Sequence, residues 1–315
     1  MRKKPYLQSH VKENHMKTLD FTNTTETGTV YTMVETLAKE HPYIEKSAFG
    51  ESVRGKALEY IKIGGGERAS LFVGTHHAME YITSFLLLEF AEVFLSAFEN
   101  GKKIGVFNPK EIFENRSVYI VPLLNPDGVD IERGDVPPTP ELIAMNGGSA
   151  DFSRWQANAR GVDLNHNYNA GFYKAREMEG EYGVRGAGPT RYSGEFPESE
   201  PETRSLCTLT RSLAPRLSAV IALHTQGEEI YWDYCGGAPK GSLSLAKRFS
   251  ALSGYAVSSP SGIASFGGFK DYTLSKLGIP SFTIECGKGE NPLPHSDFYS
   301  IYKKIEMLLF CAASF

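Results

Sequence analysis

Leu71-Phe-Val-Gly-Thr-His-His-Ala-Met-Glu80 decides how the rest of the chain is read. An apolar run as long as a buried strand ends in a polar cluster that holds His77 and Glu80. Two further stretches have the same form: Ala219-Val-Ile-Ala-Leu223 runs into His224, and Pro280-Ser-Phe-Thr-Ile284 runs into Glu285. In open α/β sheets, ligands gather beyond the carboxyl ends of the strands, so these four side chains are expected to meet in one cleft. Two imidazoles and one carboxylate leave a zinc ion one open coordination position, and a further carboxylate, Glu285, can serve as a base. Each signal alone has an ordinary explanation. A His-x-x-Glu pair suits a solvated helix face, and a histidine after an apolar strand is usually hydrogen-bonded at a sheet edge. Recurrence of one pattern in three places is what favours a metal centre.

Composition limits the alternatives. A chain of 315 residues, 41% hydrophobic, can build one large α/β domain or two smaller ones. No repeat or composition break marks a second domain, so the reading is a polar lead-in over 1–27 and one catalytic domain over 28–315. A net charge of −4 without a basic cluster argues against a nucleic-acid surface. No apolar run follows Arg2, Lys3 and Lys4, and none approaches the roughly 18 apolar residues of a membrane span. Neither nucleic acid nor membrane is therefore expected as a partner, and the expected compartment is cytoplasmic. Cys207, Cys235, Cys286 and Cys311 form no Cys-x-x-Cys pair and read as reduced thiols. Cys286, next to Glu285, reads as packing rather than as a nucleophile.

Helical spacing of apolar residues runs from Val30 to His41 and from Ile82 to Phe98. Leu58 to Ile63 and Ser117 to Leu124 read as strands, the second stopped by Asn125-Pro-Asp-Gly128, a turn by composition. Residues 129–200 read as long loops over the cleft. Within them the amides of Asn165 and Asn167 could hold a substrate carboxylate, and Ser199-Glu-Pro-Glu202 reads as the acidic first turn of a capped helix.

In order and rough spacing, His77-x-x-Glu80, Asn125-Pro-Asp-Gly128, Gly161-Val-Asp-Leu-Asn165, Ser199-Glu-Pro-Glu202, Leu223-His224, Gly267-Gly-Phe-Lys-Asp271 and Thr283-Ile-Glu285 resemble the zinc carboxypeptidase family over 30–315. Within that family, the segments 76–83, 155–163 and 224–232 are most similar to bacterial γ-D-glutamyl-L-diamino acid endopeptidases and murein-tripeptide amidases. The resemblance implies a three-layer α/β sandwich with a mixed, mainly parallel central sheet flanked by helices. It implies one Zn2+ on His77, Glu80 and His224, with His76 a neighbour and not a ligand. Glu285 is then the general base that takes a proton from a zinc-bound water and delivers it to the leaving amine. The implied reaction is hydrolysis of an amide bond in cell-wall muropeptides, between γ-D-Glu and meso-diaminopimelate.

Three departures from the family pattern bear on the substrate. Gln156 stands where the family usually has an arginine that stabilises the oxyanion, with Arg154 or Arg160 as nearby cations that could replace its charge. Asn165-His166 stands where digestive members clamp the substrate C-terminus with an Asn-Arg pair, and histidine lacks the permanent bidentate fork. Ile263 occupies the register of the tyrosine that closes over the substrate. Lys270 falls at the base of the side-chain pocket, where it would select an acidic leaving residue or else pair internally with Asp271 or Glu290. Two other readings follow from these departures: a metallocarboxypeptidase releasing acidic C-terminal residues, and a non-catalytic muropeptide-binding homologue.

Overall fold

Strands with two apolar faces build the centre of the molecule. The computed structural model describes residues 25–315, so most of the expected lead-in lies outside the described residues. Eight strands form one sheet: β1 Glu45–Glu51, β2 Ala57–Ile63, β3 Arg68–Val73, β4 Arg116–Val121, β5 Leu217–His224, β6 Glu229–Tyr231, β7 Ala256–Ser258 and β8 Ser281–Glu285. Their spatial order is β1-β2-β4-β3-β5-β8-β6-β7. The central neighbours β4, β3, β5 and β8 run parallel, while β1 against β2, β2 against β4 and β6 against β8 are antiparallel. Central strands are buried almost throughout, as parallel strands covered on both faces must be, whereas edge strand β1 has only exposed and half-buried residues.

Alternation along the strands divides the core into two layers. Phe72, Ile221, Phe282 and Ile284 face helices Glu26–Glu40, Ile82–Glu99, Ser242–Ser253 and Phe298–Ala313. Leu71, Val73, Val220 and Ala222 face helices Pro201–Leu213 and Phe269–Leu277. The expected mixed, mainly parallel sandwich is thus present. Helix Ile82–Glu99 is apolar nearly all round, and the stretch Ala78–Glu99 is long and apolar enough by length and composition to cross a membrane, which the sequence reading did not anticipate. Its burial accounts for that composition: Phe85, Leu86, Leu87, Phe90 and Phe94 are all fully enclosed.

The Asn125-Pro-Asp-Gly segment departs from expectation, because it starts a helix instead of making a turn. The strand before it ends at Val121, and helix Pro126–Arg133 follows, with Asn125 as its N-cap accepting from Gly128 N at 3.0 Å. Proline in the first turn costs nothing there because its missing N–H would have no helical partner. The Asn125 amide also donates to His76 O at 3.1 Å and to Ala157 O at 3.2 Å, so this cap pins the loop that carries His77. Short helices Pro140–Met145 and Phe172–Met178 likewise interrupt the region expected to be loop.

The acidic segment at 199–202 does more than begin a helix. Glu202 is fully buried and accepts from Val53 N at 3.0 Å and from the Asn158 amide at 3.2 Å, and the same amide reaches Glu200 at 2.8 Å. It cross-links the β1–β2 turn, the 158 loop and helix Pro201–Leu213. Asn167, one of the two amides expected to meet substrate, is fully buried and occupied structurally by Ser193 O, Ser199 Oγ, Glu200 N and Thr203 Oγ1.

Two outcomes test this architecture. Phe90 packs its ring 5.5 Å from that of Phe72 and 5.0 Å from that of Phe310, so Phe90→Ala should lower the unfolding free energy by about 3–5 kcal/mol in denaturant titration. Burial pushes Glu202 from 4.5 up to about 7, against the pull of its hydrogen bonds. The native state therefore holds a proton there that the unfolded chain releases. Its contribution to stability is complete below about 4.5 and is lost as pH rises through about 7. Glu202→Gln should flatten that fall in pH-dependent denaturation, and an unchanged slope would refute the assignment.

Candidate metal centre and substrate cleft

The sheet delivers the site residues by register. His224 is the last residue of β5 and lies directly opposite Glu285, the last residue of its parallel neighbour β8. β3 ends at Val73, and four residues later His77 precedes a single 3₁₀ turn, Ala78–Glu80, that swings Glu80 back towards it. The Nδ1 atoms of His77 and His224 are 3.3 Å apart, close to the roughly 3.4 Å between two nitrogens each held about 2.0–2.1 Å from one tetrahedral zinc. Glu80 completes the triangle, its Oε1 lying 2.9 Å from His77 Nδ1 and its Oε2 3.0 Å from His224 Nδ1. Ligand atoms of all three residues fall within 4.8 Å of one another. Two borderline nitrogen donors and a carboxylate at this spacing fit a zinc ion.

A further carboxylate steadies the centre. Asp163 is buried, and its Oδ1 sits 3.2 Å from His77 Nε2 while also accepting from Asn165 N at 3.1 Å; its Oδ2 accepts from Arg191 N at 2.9 Å. Such a partner fixes which imidazole nitrogen carries the proton and leaves the other to face the metal. Burial raises the Asp163 carboxyl, but the adjacent His77 and the hydrogen bonds outweigh it and hold the group well below the usual range. Burial likewise opposes ionisation of Glu80, yet His77 and His224 bring it down to about 2. Asp163 was part of a motif visible in the sequence but carried no assigned role, because nothing local says that it faces residue 77.

Glu285 experiences the opposite balance. Desolvation in the cleft and the nearby Glu80 charge push its carboxyl well above the usual value, with His77 opposing. Cys286 behind it is buried and unpaired, as expected of a packing residue. His76 is also excluded from the ligand set: its Nε2 bonds the Tyr168 hydroxyl at 3.0 Å and its ring stacks 5.2 Å from that of His224.

The model of the zinc carboxypeptidase family matches residues 30–306. The chain belongs to that family. It is a zinc metallopeptidase, with one zinc per chain as its cofactor. It is 34% identical over 276 residues to gamma-D-glutamyl-L-diamino acid endopeptidase 1 of Lysinibacillus sphaericus, which spans 86% of this chain and 67% of that relative. Its fold matches carboxypeptidase A from Helicoverpa armigera with a TM-score of 0.67 at 18% identity, covering 93% of this chain and 77% of the other. It also matches murein-tripeptide amidase MpaA from Escherichia coli O157 with a TM-score of 0.52 at 17% identity, covering 86% and 92%.

The rest of this metallopeptidase's cleft differs in part from what its sequence suggested. Gln156 flanks the ligand turn, its backbone carbonyl accepting from Ala78 N at 2.9 Å. Its side-chain oxygen accepts from the Thr190 hydroxyl, which leaves the amide N–H groups to point elsewhere. Arg154 and Arg160, considered as substitute cations, are both engaged: Arg154 binds Glu290 and Asn291 O, and Arg160 lies 3.6 Å from Glu200. Asn165 Oδ1 accepts from Phe269 N at 3.0 Å, and His166 Nδ1 donates to Phe266 O at 3.0 Å, so both side chains are tied to the 266–269 turn. Gly267 allows that approach, since a Cβ there would lie 2.5 Å from His166 O, and its φ is +79°.

Lys270 is buried and bonds Asp233 O and the Asp271 carboxylate, the internal pairing that was one of its two expected fates. Two of its three N–H groups are thereby used. A cavity of about 250 Å³ shares Asp233 with it and is lined also by Tyr234, Cys235, Ser259 and Phe266. Ile263 is buried, and its N–H donates to the hydroxyl of Tyr182 at 3.4 Å, so a tyrosine from a different loop occupies this rim.

His77→Ala and His224→Ala should each abolish stoichiometric zinc. Asp163→Asn should keep the three ligands but weaken zinc affinity about 10- to 100-fold, measured by competition with a chromophoric chelator. Wild-type affinity in Asp163→Asn would remove Asp163 from the metal centre.

Proposed function

We propose that this metallopeptidase hydrolyses the amide bond between γ-D-glutamate and meso-diaminopimelate in muropeptides. The observation that carries the reading is its 34% identity, over 86% of its length, to a relative named as a gamma-D-glutamyl-L-diamino acid endopeptidase. His166, tied to Phe266 O and lacking a guanidinium fork, is a poor clamp for the C-terminal α-carboxylate that a carboxypeptidase holds, which supports the same reading. The remaining N–H of Lys270 suits the distal carboxylate of diaminopimelate. The reading includes a cytoplasmic site of action, supported by four unpaired thiols.

When bound by His77, Glu80 and His224, zinc supplies Lewis acidity that polarises the scissile carbonyl and acidifies the attacking water. Glu285 takes the water's proton and passes it to the leaving nitrogen. A carboxyl whose proton affinity is raised by its surroundings is matched to holding that proton between the two transfers. Gln156 donates an amide N–H to the carbonyl oxygen as charge develops there, an interaction without the full charge of an arginine. Asp163 keeps the His77 ring in register throughout.

Mass spectrometry of L-Ala-γ-D-Glu-meso-diaminopimelate incubated with zinc-loaded protein should reveal free diaminopimelate, with Glu285→Gln slower by about 10² to 10⁴. An α-linked peptide ending in glutamate should stay intact. Cleavage of that peptide instead would shift the assignment to an acidic carboxypeptidase, and silence on both would favour a binding protein.

A further inference from the structure

The cleft has neutral or weakly basic side chains at the two positions, Gln156 and His166, where the family usually has an arginine, and the nearby Arg154 and Arg160 are engaged by Glu290 and Glu200. Arg191 is different. Its backbone N–H donates to one oxygen of Asp163, whose other oxygen meets His77 Nε2, so its main chain stands two hydrogen bonds from a zinc ligand. The residue before it, Thr190, holds the side-chain oxygen of Gln156. Arg191 has a φ of +63°, a left-handed conformation that a non-glycine residue keeps only when its surroundings impose it. Asp163 N also donates to the Tyr192 carbonyl at 2.8 Å, which fastens the segment on both sides of Arg191.

This strained, fastened backbone presents an exposed side chain. The guanidinium carbon lies 5.7 Å from the ring centre of Tyr182, and the Tyr182 hydroxyl accepts from Ile263 N at 3.4 Å. A cation already held over an aromatic ring has less freedom to lose when it binds a carboxylate, and its fork matches that group in two parallel hydrogen bonds. Among the described residues, the guanidinium has neither a carboxylate partner nor a hydrogen bond.

We propose that Arg191 binds the free α-carboxylate of the γ-linked glutamyl residue, on the acyl side of the scissile bond. A γ-linked glutamate makes its amide through the side-chain carboxyl, so its α-carboxylate is left ionised; an α-linked residue has no charge at the corresponding place. Arg191 is anchored beside Gln156, assigned above to the scissile carbonyl, whereas Lys270, assigned above to the leaving residue, lies in the 266–271 segment to which Asn165 and His166 are tied. A bidentate carboxylate site here gives preference for γ- over α-linked substrates without contact to the reacting atoms. The assignment rests on the muropeptide reading above.

The test compares L-Ala-γ-D-Glu-meso-diaminopimelate with the same peptide amidated at the glutamyl α-carboxylate. Amidation should lower wild-type kcat/KM about ten- to a hundredfold, the range for losing a charged hydrogen-bonded pair. Arg191→Gln should lose a similar factor on the free acid, after which amidation should cost it no more than about a further twofold. Its zinc content and melting temperature should match the wild type. Equal wild-type cleavage of acid and amide overturns this assignment while leaving the muropeptide reading intact, and needs no variant. Equal impairment of Arg191→Gln on both substrates, or coupling of Arg191 to amidation of the diaminopimelate carboxylates instead, also overturns it. Failure of the zinc-loaded wild type on every γ-linked peptide overturns the muropeptide reading and this assignment together.

Discussion

The in-register pairing of β5 with β8 is the constraint on which the site depends. It sets His224 opposite Glu285 at the carboxyl ends of the two strands, and it is enforced far from the chemistry. Ala219, Ile221 and Leu223 pack into one layer and Val220 and Ala222 into the other. A slip of one residue would send every one of these side chains to the wrong face and turn His224 away from Glu80. Close packing tolerates no such slip. Precision at the metal centre is therefore supplied by apolar residues that never meet substrate.

Walls of the cleft are held by a different force. The segments from 125 to 200 contribute few side chains to the two main cores and are joined by a small apolar cluster around Trp155, Phe152 and Ile131 and by buried amides and carboxylates. Asn125 links a helix start to the 76 and 157 carbonyls, Asn158 bridges Glu200 and Glu202, and Asn167 gathers five partners. A buried polar group left unmatched is costly, so each of these networks specifies one loop arrangement. Asp163 belongs to the same kind of network, which is how loop geometry reaches a zinc ligand.

Charge distribution around the metal follows from burial. His77, His224, Glu80, Asp163 and Glu285 crowd into one desolvated region, where unlike charges stabilise one another and like charges do not. Glu80 and Asp163 have histidine partners and stay ionised, whereas Glu285 sits among carboxylates and is pushed towards holding a proton. One environment thus gives three carboxylates different proton affinities, as the proposed roles of ligand, support and base require.

The chain's local sequence determined the central strands, the long helix after His77 and Glu80, and the candidate ligands and proposed base. Each is written as an apolar run ending in His or Glu, and such a signal needs no knowledge of distant residues. It also determined where the pattern departs, at Gln156, His166, Ile263 and Lys270. The helix at Pro126–Arg133 was not legible, because Asn-Pro-Asp-Gly carries the chemistry of both a turn and an N-cap, and packing against the 76 and 157 loops decides between them. Short strands β6 and β7 had too few residues to show a period. Tertiary structure alone decided that Asp163 faces His77, that Asn167 is structural, that Arg154 and Arg160 have carboxylate partners, and that Arg191 has none among the described residues. Those outcomes depend on contacts between residues tens to hundreds of positions apart, fixed only when the packed sheet brings their loops to one end.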